Sequence, residues 1–396
     1  MKILVYTYYG TPWELKYGDF VRIQTVCKTL RNFDILVIAY NLSHLTRKYS
    51  LLYKDGVVYV SVPRSFYKTL SKIIGWNNND ELNPLTKLTH YIDELIAAVK
   101  IRDNVEKTKI LLIFGSMSLL SFVLRLLKTR GIIVYDPLSN YAQTLYLKSR
   151  RSLVDLLKYG LYLALHKLQL RSSDIVIYPS RVDLDNAKRM FKLTKTIIVP
   201  NPFPICYNNL DEYLSLRSKR KDFDKVYFVL LAGGRKINEE AVRTTIEIFN
   251  NLPPGKFKLI ITGSWHDMKK FVRNPSIELV GVLPEEKLKD VLAMSDYGLS
   301  PIFKHAAGTF LKVLAYIASG LNIIASPHSL QGIDIPFIRD KKVIIVRNFD
   351  EYKKAIETAI SLGPRTSSRR IITCRESNDQ VKSYVKELID YVNSVL

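Results

Sequence analysis

Short apolar runs alternate with amphipathic stretches along most of the chain. Such runs are typical of strands that are buried on both faces of a sheet. They predict strands at residues 2–7, 34–39, 57–62, 110–114, 132–135, 175–178, 226–232, 257–262, 277–280, 297–300, 321–325 and 343–346. Helical periodicity between them predicts helices that include 19–31, 88–99, 117–128, 239–250, 285–293, 309–319, 350–361 and 378–396. The alternation predicts parallel sheets with crossover helices.

The series of strands is interrupted once, which predicts an α/β protein with two doubly wound, Rossmann-like domains. We expect a first domain at 1–205, a charged linker with a short helix at 206–224, and a second domain at 225–374. The final helical segment, 375–396, carries an apolar stripe and therefore must pack against another part of the protein.

The composition is that of a globular protein, with 47% hydrophobic and 24% charged residues among 396. Three scattered cysteines, Cys27, Cys206 and Cys374, show no metal-ligand spacing, so we expect reduced thiols and a cytoplasmic location. The apolar start ILVYTYY has the length of a strand and leads to Gly-Thr-Pro, unlike a secretory signal. We expect no membrane-spanning segment.

The net charge of +22 is unevenly distributed. Residues 1–200 hold 30 basic and 15 acidic side chains, a balance of +15, and the remainder holds 29 and 22, a balance of +7. A positive first half favours an anionic partner: nucleic acid, anionic lipid headgroups or a phosphorylated acceptor. The plainer alternative is that net charge serves solubility.

The segment 308–320, GTFLKVLAYIASG, carries the clearest candidate chemistry. A loop enters a predicted helix at Gly308, and free backbone N–H groups at a helix start attract phosphate. Lys312 adds a positive charge one turn later. The alternative is an ordinary surface lysine on a helix.

A second candidate loop, Gly233-Gly234-Arg235-Lys236, joins a predicted strand to a predicted helix. Glycine lets the backbone approach a ligand closely, and the helix start together with Arg235 favours a diphosphate. The loop does not match the G-x-G-x-x-G dinucleotide pattern. It is equally compatible with a tight turn that carries solvated charges.

Four passages in this order resemble GT-B glycosyltransferases of the family 4 type. They are the start MKILVYTYYGTP; residues 173–204, similar to the family's aD-x-vi-x-S and viPNg motifs; residues 226–249, similar to f-x-G-x-x-x-x-x-N-x-x-A-v; and residues 277–333. The last passage resembles the subgroup with a G-T-R-x-K-x-L-E-A-M-A-x-G core. The likeness covers most of the chain and is weakest across 40–130.

The resemblance implies a GT-B fold whose C-terminal helix crosses back to the first domain. It also implies transfer of a sugar from a nucleotide-sugar donor to a lipid-linked or glycan acceptor, with retention of configuration, no metal and no cofactor. Arg235 and Lys312 would stabilise the departing diphosphate. The other donor-binding residues would be Gly233, Gly234, Lys236, Val282, Leu283, Lys304, His305, Gly308, Thr309, Phe310 and Leu311. The acceptor would meet Gly10, Gly18, Asp19 and Asp136, although Asp136-Pro137 is equally compatible with a simple turn.

Three features depart from the family pattern. Ala315 stands where the family usually has a glutamate that binds the ribose, and Phe310 stands where the subgroup has an arginine. The family's usual spacing from the arginine at Arg235 to a following lysine is not met. These departures predict that the nucleotide is held differently, that the donor is unusual, or that catalysis is weak.

Asp183-x-Asp185 is similar to the metal-binding DxD motif of another glycosyltransferase class. Because it follows Ser180 at a predicted helix start, we expect these carboxylates to complement the helix dipole instead. The sequence offers no zinc constellation and no hydrolase signature, so we expect no metal site.

Residues 64–76, RSFYKTLSKIIGW, form a basic amphipathic pattern that includes Phe66, Lys68, Lys72 and Trp76. Helices of this kind lie on anionic membranes, so we expect possible peripheral attachment to the cytoplasmic membrane face. The stretch 146–171 adds further basic residues among apolar ones. The alternative is a helix that faces the core and solvates its basic side.

Three other functions stay open at this stage. A nucleotide-sugar epimerase would share the fold, and a non-catalytic GT-B-like subunit would explain Ala315. A nucleic-acid binder is suggested by charge alone, and no recognition motif supports it.

Overall fold

The computed structural model describes residues 2–7, 18–31, 36–43, 50–54, 57–63, 84–108, 110–115, 118–138, 153–193, 195–233, 236–303, 310–333, 343–364 and 370–395. The chain divides into two compact units. The first comprises Met1–Pro200 and Val381–Leu396, and the second comprises Asn201–Gln380. The segment that the sequence suggested as a linker, 206–224, lies in the second unit.

The first unit is built on one sheet with helices on both faces. Its strands are β1 (Lys2–Thr7), β2 (Leu36–Ser43), β3 (Ser50–Lys54), β4 (Val57–Pro63), β5 (Ile110–Phe114), β6 (Ile132–Asp136), β7 (Ile175–Tyr178) and β8 (Lys195–Ile198). Its helices are α1 (Gly18–Arg31), α2 (Pro84–Thr108), α3 (Leu120–Leu126), α4 (Leu153–Arg171) and α5 (Arg181–Met190). In the described residues the strand order is β3-β4-β2-β1-β5-β6-β7-β8, and only the β3–β4 pairing is antiparallel.

The second unit has a parallel sheet. Its strands are β9 (Val226–Leu231), β10 (Phe257–Thr262), β11 (Ile277–Gly281), β12 (Tyr297–Ser300), β13 (Asn322–Ala325) and β14 (Val343–Ile345). Its helices are α6 (Leu210–Ser218), α7 (Lys236–Asn250), α8 (Glu285–Met294), α9 (Leu311–Ala318), α10 (Phe349–Ser361) and the start of α11 (Cys374–Val395). The described strands follow the order β11-β10-β9-β12-β13-β14.

Each sheet carries a hydrophobic core on both of its faces. In the first unit, α1 packs on one face and helices α2 to α5 pack on the other. In the second unit, α7 and α10 cover one face, and α6, α8 and α9 cover the other. The predicted doubly wound α/β architecture is therefore confirmed.

The C-terminal helix α11 belongs to both units. It begins at Cys374 in the second unit, and from Val381 onward it is part of the first unit. Its apolar side chains Val381, Val385 and Leu388 lie in the core that also contains α1. The predicted apolar stripe therefore packs in the core of the first unit, which is the placement that the resemblance implied.

A disulfide joins Cys206 to Cys374, which are 168 positions apart, and Cys27 is a buried free thiol. Backbone hydrogen bonds beside the disulfide connect Tyr207 to Ile372 and Cys374. The expectation of three reduced cysteines is therefore wrong for two of them. The two cysteines are far apart in the sequence and gave no sign of pairing, but the fold brings the beginning and the end of the second unit together.

A buried ion cluster holds α6 to the amino-terminal edge of the second sheet. Asp296, fully buried just before β12, pairs with Arg217 at 3.2 Å and with Arg220 at 2.9 Å. It also accepts the backbone N–H of Tyr227 at 3.0 Å. Arg220 Nη1 also donates to the other carboxylate oxygen of Asp296, Oδ1, at 3.0 Å. Buried charges need such complete pairing to be tolerated.

No helix in the described part of the chain has the length and apolarity needed to cross a membrane.

Candidate functional site

The candidate site lies at the carboxyl-terminal edge of the second sheet, where β9 and β12 end beside helix α9. Ligands of α/β proteins bind at this edge. Helix α9 begins at Leu311, with Phe310 as its N-cap, rather than at the predicted position near Gly308. Phe310 makes no side-chain cap hydrogen bond, and aromatic carbon has no acceptor to offer the first N–H groups. Lys312 is the second residue of the helix.

Tyr316 fixes α9 against the two strands. Its hydroxyl accepts the backbone N–H of Leu231 at 2.8 Å and donates to the carbonyl of Leu299 at 3.0 Å. A Cβ at Gly298 would lie 2.3 Å from the tyrosine ring, so the strand needs glycine there. Because Lys312 precedes Tyr316 by four residues, the two share one side of the helix. The tyrosine therefore holds the lysine over the edge of the sheet.

Lys312 connects the two candidate loops through Asn238. Its Nζ donates to Asn238 Oδ1 at 2.7 Å, and Asn238 Nδ2 donates to the carbonyl of Gly233 at 2.8 Å. Asn238 lies in the first turn of α7 and is 6% exposed. The positive side chain of one loop is thus anchored to the backbone that follows β9. The sequence analysis missed Asn238, although the pattern quoted for residues 226–249 contains this asparagine.

No carboxylate among the described residues pairs with Lys312. Its one hydrogen-bond acceptor there is the neutral amide of Asn238, and its Nζ lies 5.8 Å from the centre of the Phe310 ring. Burial lowers the pKa of Lys312 to about 7. The residue as a whole is only partly buried. The amine is therefore charged below about pH 7, and no carboxylate among the described residues neutralises it.

Ala315 lies in the hydrophobic core and not on an open surface. It is 1% exposed and belongs to the cluster that includes Val313, Leu314 and Ile317. A glutamate at this position would carry its carboxylate into apolar surroundings. The chain therefore does not offer the family's ribose-binding carboxylate here, and no described acidic residue of α9 replaces it.

The remaining predicted donor residues have different surroundings. Gly233 and Val282 are exposed, whereas Leu283 and Leu311 are partly buried against the core. Lys236 is the first residue of α7. The other predicted donor residues lie outside the described residues: Gly234, Arg235, Lys304, His305, Gly308 and Thr309. The predicted convergence of Arg235 on Lys312 therefore stays a prediction.

In the first unit, Asp136 ends β6 and is bound internally. Its Oδ2 accepts Arg22 Nε at 2.8 Å, and its Oδ1 accepts the N–H of Leu138 at 2.8 Å. Burial raises the pKa of Asp136, and Arg22 opposes this shift. Leu138, two residues after β6 ends, has a φ of 63°. The predicted contact of Asp136 with an acceptor stays a prediction. Arg22 also donates to the carbonyl of Val199 at 2.6 Å.

The other predicted acceptor and membrane residues are less fully described. Gly18 and Asp19 are the first two residues of α1. The following lie outside the described residues: Gly10, Phe66, Lys68, Lys72 and Trp76. Their assigned roles stay predictions.

The acidic pair of the DxD-like sequence serves helix α5. Ser180 is the N-cap and accepts the N–H of Asp183, whose carboxylate in turn accepts the Ser180 hydroxyl at 2.7 Å. Asp185 pairs with Arg181 one turn away. Among the described residues no group of three histidine, cysteine, aspartate or glutamate side chains is placed to hold a metal.

Comparisons with solved structures agree with this architecture over the whole chain. Sucrose-phosphate synthase from Thermosynechococcus elongatus matches with a TM-score of 0.66 and 14% identity, over 99% of this chain and 96% of that chain. The chain has the GT-B fold. The glycosyltransferase WaaG of lipopolysaccharide biosynthesis matches this fold with a TM-score of 0.63 and 13% identity, over 99% of both chains. An E. coli trehalose-6-phosphate protein bound with UDP-2-fluoro glucose matches with 0.60 and 12%, over 100% of this chain and 96% of that one.

No protein-family model matches the sequence. No curated protein matches it either. At identities of 9–14%, the structural matches establish the fold alone.

Proposed function

We propose that the protein is a glycosyltransferase that moves a sugar from a nucleotide-sugar donor to a lipid-linked or glycan acceptor. The observation that carries this proposal is the position of Lys312 in the second unit. Its ammonium group lies at the start of α9, is anchored by Asn238, and has no carboxylate partner among the described residues. A diphosphate group fits such a site because it supplies the missing negative charge.

The chemistry follows from where negative charge develops. When the bond between the sugar and the nucleotide breaks, the departing diphosphate gains charge. Lys312 and the positive end of the α9 dipole act on that charge from a fixed position, so they stabilise the transition state more than the ground state. The acceptor hydroxyl oxygen forms the new glycosidic bond, and its proton leaves with the departing diphosphate. We further propose retention of configuration, without a metal ion, and a contribution from Arg235.

The solved structures support the choice of donor by their own ligands and names. One of the matched proteins is bound with UDP-2-fluoro glucose, and another is named a UDP-forming synthase. Both match nearly the whole chain. A nucleoside diphosphate sugar is therefore the first donor class to test.

The burial of Ala315 favours one alternative, a GT-B-like subunit that binds a nucleotide or a partner without catalysis. A chain that lacks the ribose-binding carboxylate can retain a diphosphate site and lose productive donor alignment. Turnover separates the two functions. Release of nucleoside diphosphate that requires an added acceptor supports the transferase, and tight binding without release supports the subunit.

The first experiment measures binding of UDP-, GDP-, ADP- and dTDP-sugars by calorimetry, with wild-type protein and Lys312→Met. Methionine keeps the apolar stem of the lysine and removes its charge. We expect one donor class to bind and Lys312→Met to weaken it by about tenfold to a hundredfold, the usual range for loss of a charged hydrogen bond.

The matched control is Lys287→Met. Lys287 lies on α8 of the same unit, is 69% exposed, and its Nζ lies 3.8 Å from Asp290. This variant removes the same charge from another helix of the same unit and should bind the donor like the wild type. Equal affinity of Lys312→Met and the wild type would rule out the proposed role of Lys312.

A further inference from the structure

Helix α4 of the first unit exposes a stripe of leucines. Leu153, Leu157 and Leu161 are 72%, 66% and 61% exposed, and their spacing of four residues places them on one side of the helix. Leu156 and Leu168 are also exposed. Single exposed leucines are common on proteins, but several on one helix mark a surface that binds something apolar.

The opposite side of α4 packs in the core of the first unit, so the exposed leucines are not the side of the helix that faces the core. Tyr162 and Leu170 belong to the core of the first unit. His166 stacks on Tyr162 with 5.4 Å between the ring centres, and burial lowers its pKa to about 4. Gln169 donates to Ser121 of helix α3 at 2.7 Å. These contacts fix the rotation of the helix and direct the leucines outward.

Neighbouring helices expose apolar side chains as well. Helix α3 contacts both α2 and α4. Leu126 at the end of α3 is 65% exposed, and Val99 on α2 is 59% exposed. The helical layer on this face of the sheet is therefore apolar at several points, with α4 contributing most.

The charges around the stripe are positive. Lys167 and Arg171 are exposed on α4, and residues 146–171 contain six basic residues and one acidic residue. The first unit as a whole carries +15. A second copy of this chain would bring two such units face to face, and like charges would oppose the contact. A surface of anionic lipids is apolar beneath and negative above, which matches leucines flanked by lysine and arginine.

We propose that helix α4 docks the protein onto a membrane that contains anionic lipids, with its leucine stripe inserted among the lipid chains. This assignment does not depend on the proposed transferase activity. The proposed membrane contact is made by exposed side chains of a described helix, whereas the basic pattern at 64–76 lies outside the described residues.

The test is sedimentation of the full chain with vesicles of phosphatidylcholine alone and with vesicles that also contain phosphatidylglycerol. We expect binding to the second kind, weakened by salt because exposed charges are screened. Leu157→Gln/Leu161→Gln should lower the vesicle affinity by about tenfold or more, since leucine loses its transfer free energy when it becomes polar. Because both leucines are exposed, the thermal stability of the variant should equal that of the wild type.

The matched control is Leu210→Gln/Leu214→Gln. This pair has the same spacing on helix α6 of the second unit and is 51% and 50% exposed. It should leave vesicle binding unchanged. A second variant, Lys167→Gln/Arg171→Gln, should weaken binding to the anionic vesicles and reduce its salt dependence.

Two outcomes would overturn the proposal. One is wild-type protein that stays in solution with phosphatidylglycerol vesicles, including the case in which it forms a dimer that Leu157→Gln/Leu161→Gln dissociates. The other is an equal loss of vesicle binding in the α4 pair and in the α6 control pair.

Discussion

The two edges of the second sheet hold a basic side chain in opposite ways. At the amino-terminal edge, Arg220 is 2% exposed and meets both oxygens of Asp296, and it also donates to backbone carbonyls, among them that of Lys225. At the carboxyl-terminal edge, Lys312 meets only a neutral amide among the described residues. Arg220 is neutralised within the fold, whereas Lys312 keeps its charge available.

This difference separates a structural cation from one that is placed for a ligand. A fully paired buried charge holds one conformation and is not available to bind a ligand. A cation at a helix start with no carboxylate partner among the described residues costs stability, and that cost is recovered when an anion binds. The edge that carries Lys312 is also the edge where α/β proteins bind ligands. Substitutions that remove the carboxylate partner of Arg220, or give one to Lys312, test whether the first cation is structural and the second binds a ligand.

The largest effect is expected from Asp296→Asn, which removes the counterion of Arg217 and Arg220. Loss of one partner of a buried ion pair costs about 3–5 kcal/mol, so the thermal unfolding temperature should fall markedly. Glu278→Gln is the control, because Glu278 pairs with Lys258 on an exposed surface, where pairs contribute less than about 1 kcal/mol. A similar, small effect of both variants would contradict a structural role for the cluster.

Ala315→Glu should destabilise the second unit by about 2–4 kcal/mol, because a larger polar group would enter a packed apolar core. Thermal unfolding with and without the donor measures this effect. An unchanged unfolding temperature together with tighter nucleotide binding would reveal a working ribose contact at this position, and the interpretation of Ala315 as a core residue would be wrong.

Asn238→Asp should make Lys312 resemble Arg220. A carboxylate at the same position would lie within about 3 Å of Nζ and neutralise it, so donor affinity should fall by about tenfold to a hundredfold. Calorimetric titration with the donor tests this. Asn251→Asp, the same change at an exposed residue that follows α7, is the control and should bind normally. If Asn238→Asp binds donor as well as the wild type, Lys312 does not hold the anion.

The smallest effect concerns pH. Because the pKa of unliganded Lys312 is about 7 and a bound diphosphate favours the charged form, binding takes up a proton above pH 7. Donor affinity should be greatest below pH 7 and should fall by at most about tenfold per pH unit above it. Titrations from acidic to alkaline pH should show this slope for the wild type. The slope should be absent in Lys312→Met.

The lowered pKa of Lys312 also affects folding stability, which should rise with pH where donor affinity falls. The pKa of Lys312 in the folded protein is below its usual value of 10.5, so the unfolded chain binds the proton more readily between these two values. Lys312 therefore opposes folding fully below pH 7, and this opposition fades as the pH rises towards 10.5. Relative to Lys312→Met, the wild type should gain stability across that range.

Most of the fold could be predicted from apolar runs. The strands at 257–262 and 297–300 were predicted with the observed bounds, and almost all of their residues are buried. Strand β3 was missed, although Asp55-Gly56 between two apolar runs is typical of a hairpin. Strand β8 was also missed, because its apolar run is very short.

The candidate site was only partly predictable. Lys312 was found because a helix start has a local signal. The contact of Lys312 with Asn238 joins residues 74 positions apart, and no local pattern reports such a distance. The leucine stripe of α4 was hidden for another reason. Leucines occur on both exposed and buried parts of this helix, so only packing shows which of them stay exposed.

The Cys206–Cys374 bond closes most of the second unit into a covalent ring. Both ends of that ring lie within a few residues of the points where the chain passes from one unit to the other, Pro200 and Val381. A protease that cuts once between the two cysteines opens the ring but releases no fragment. The nicked protein should keep its full mass in electrophoresis until a reductant is added, and only then separate into two pieces.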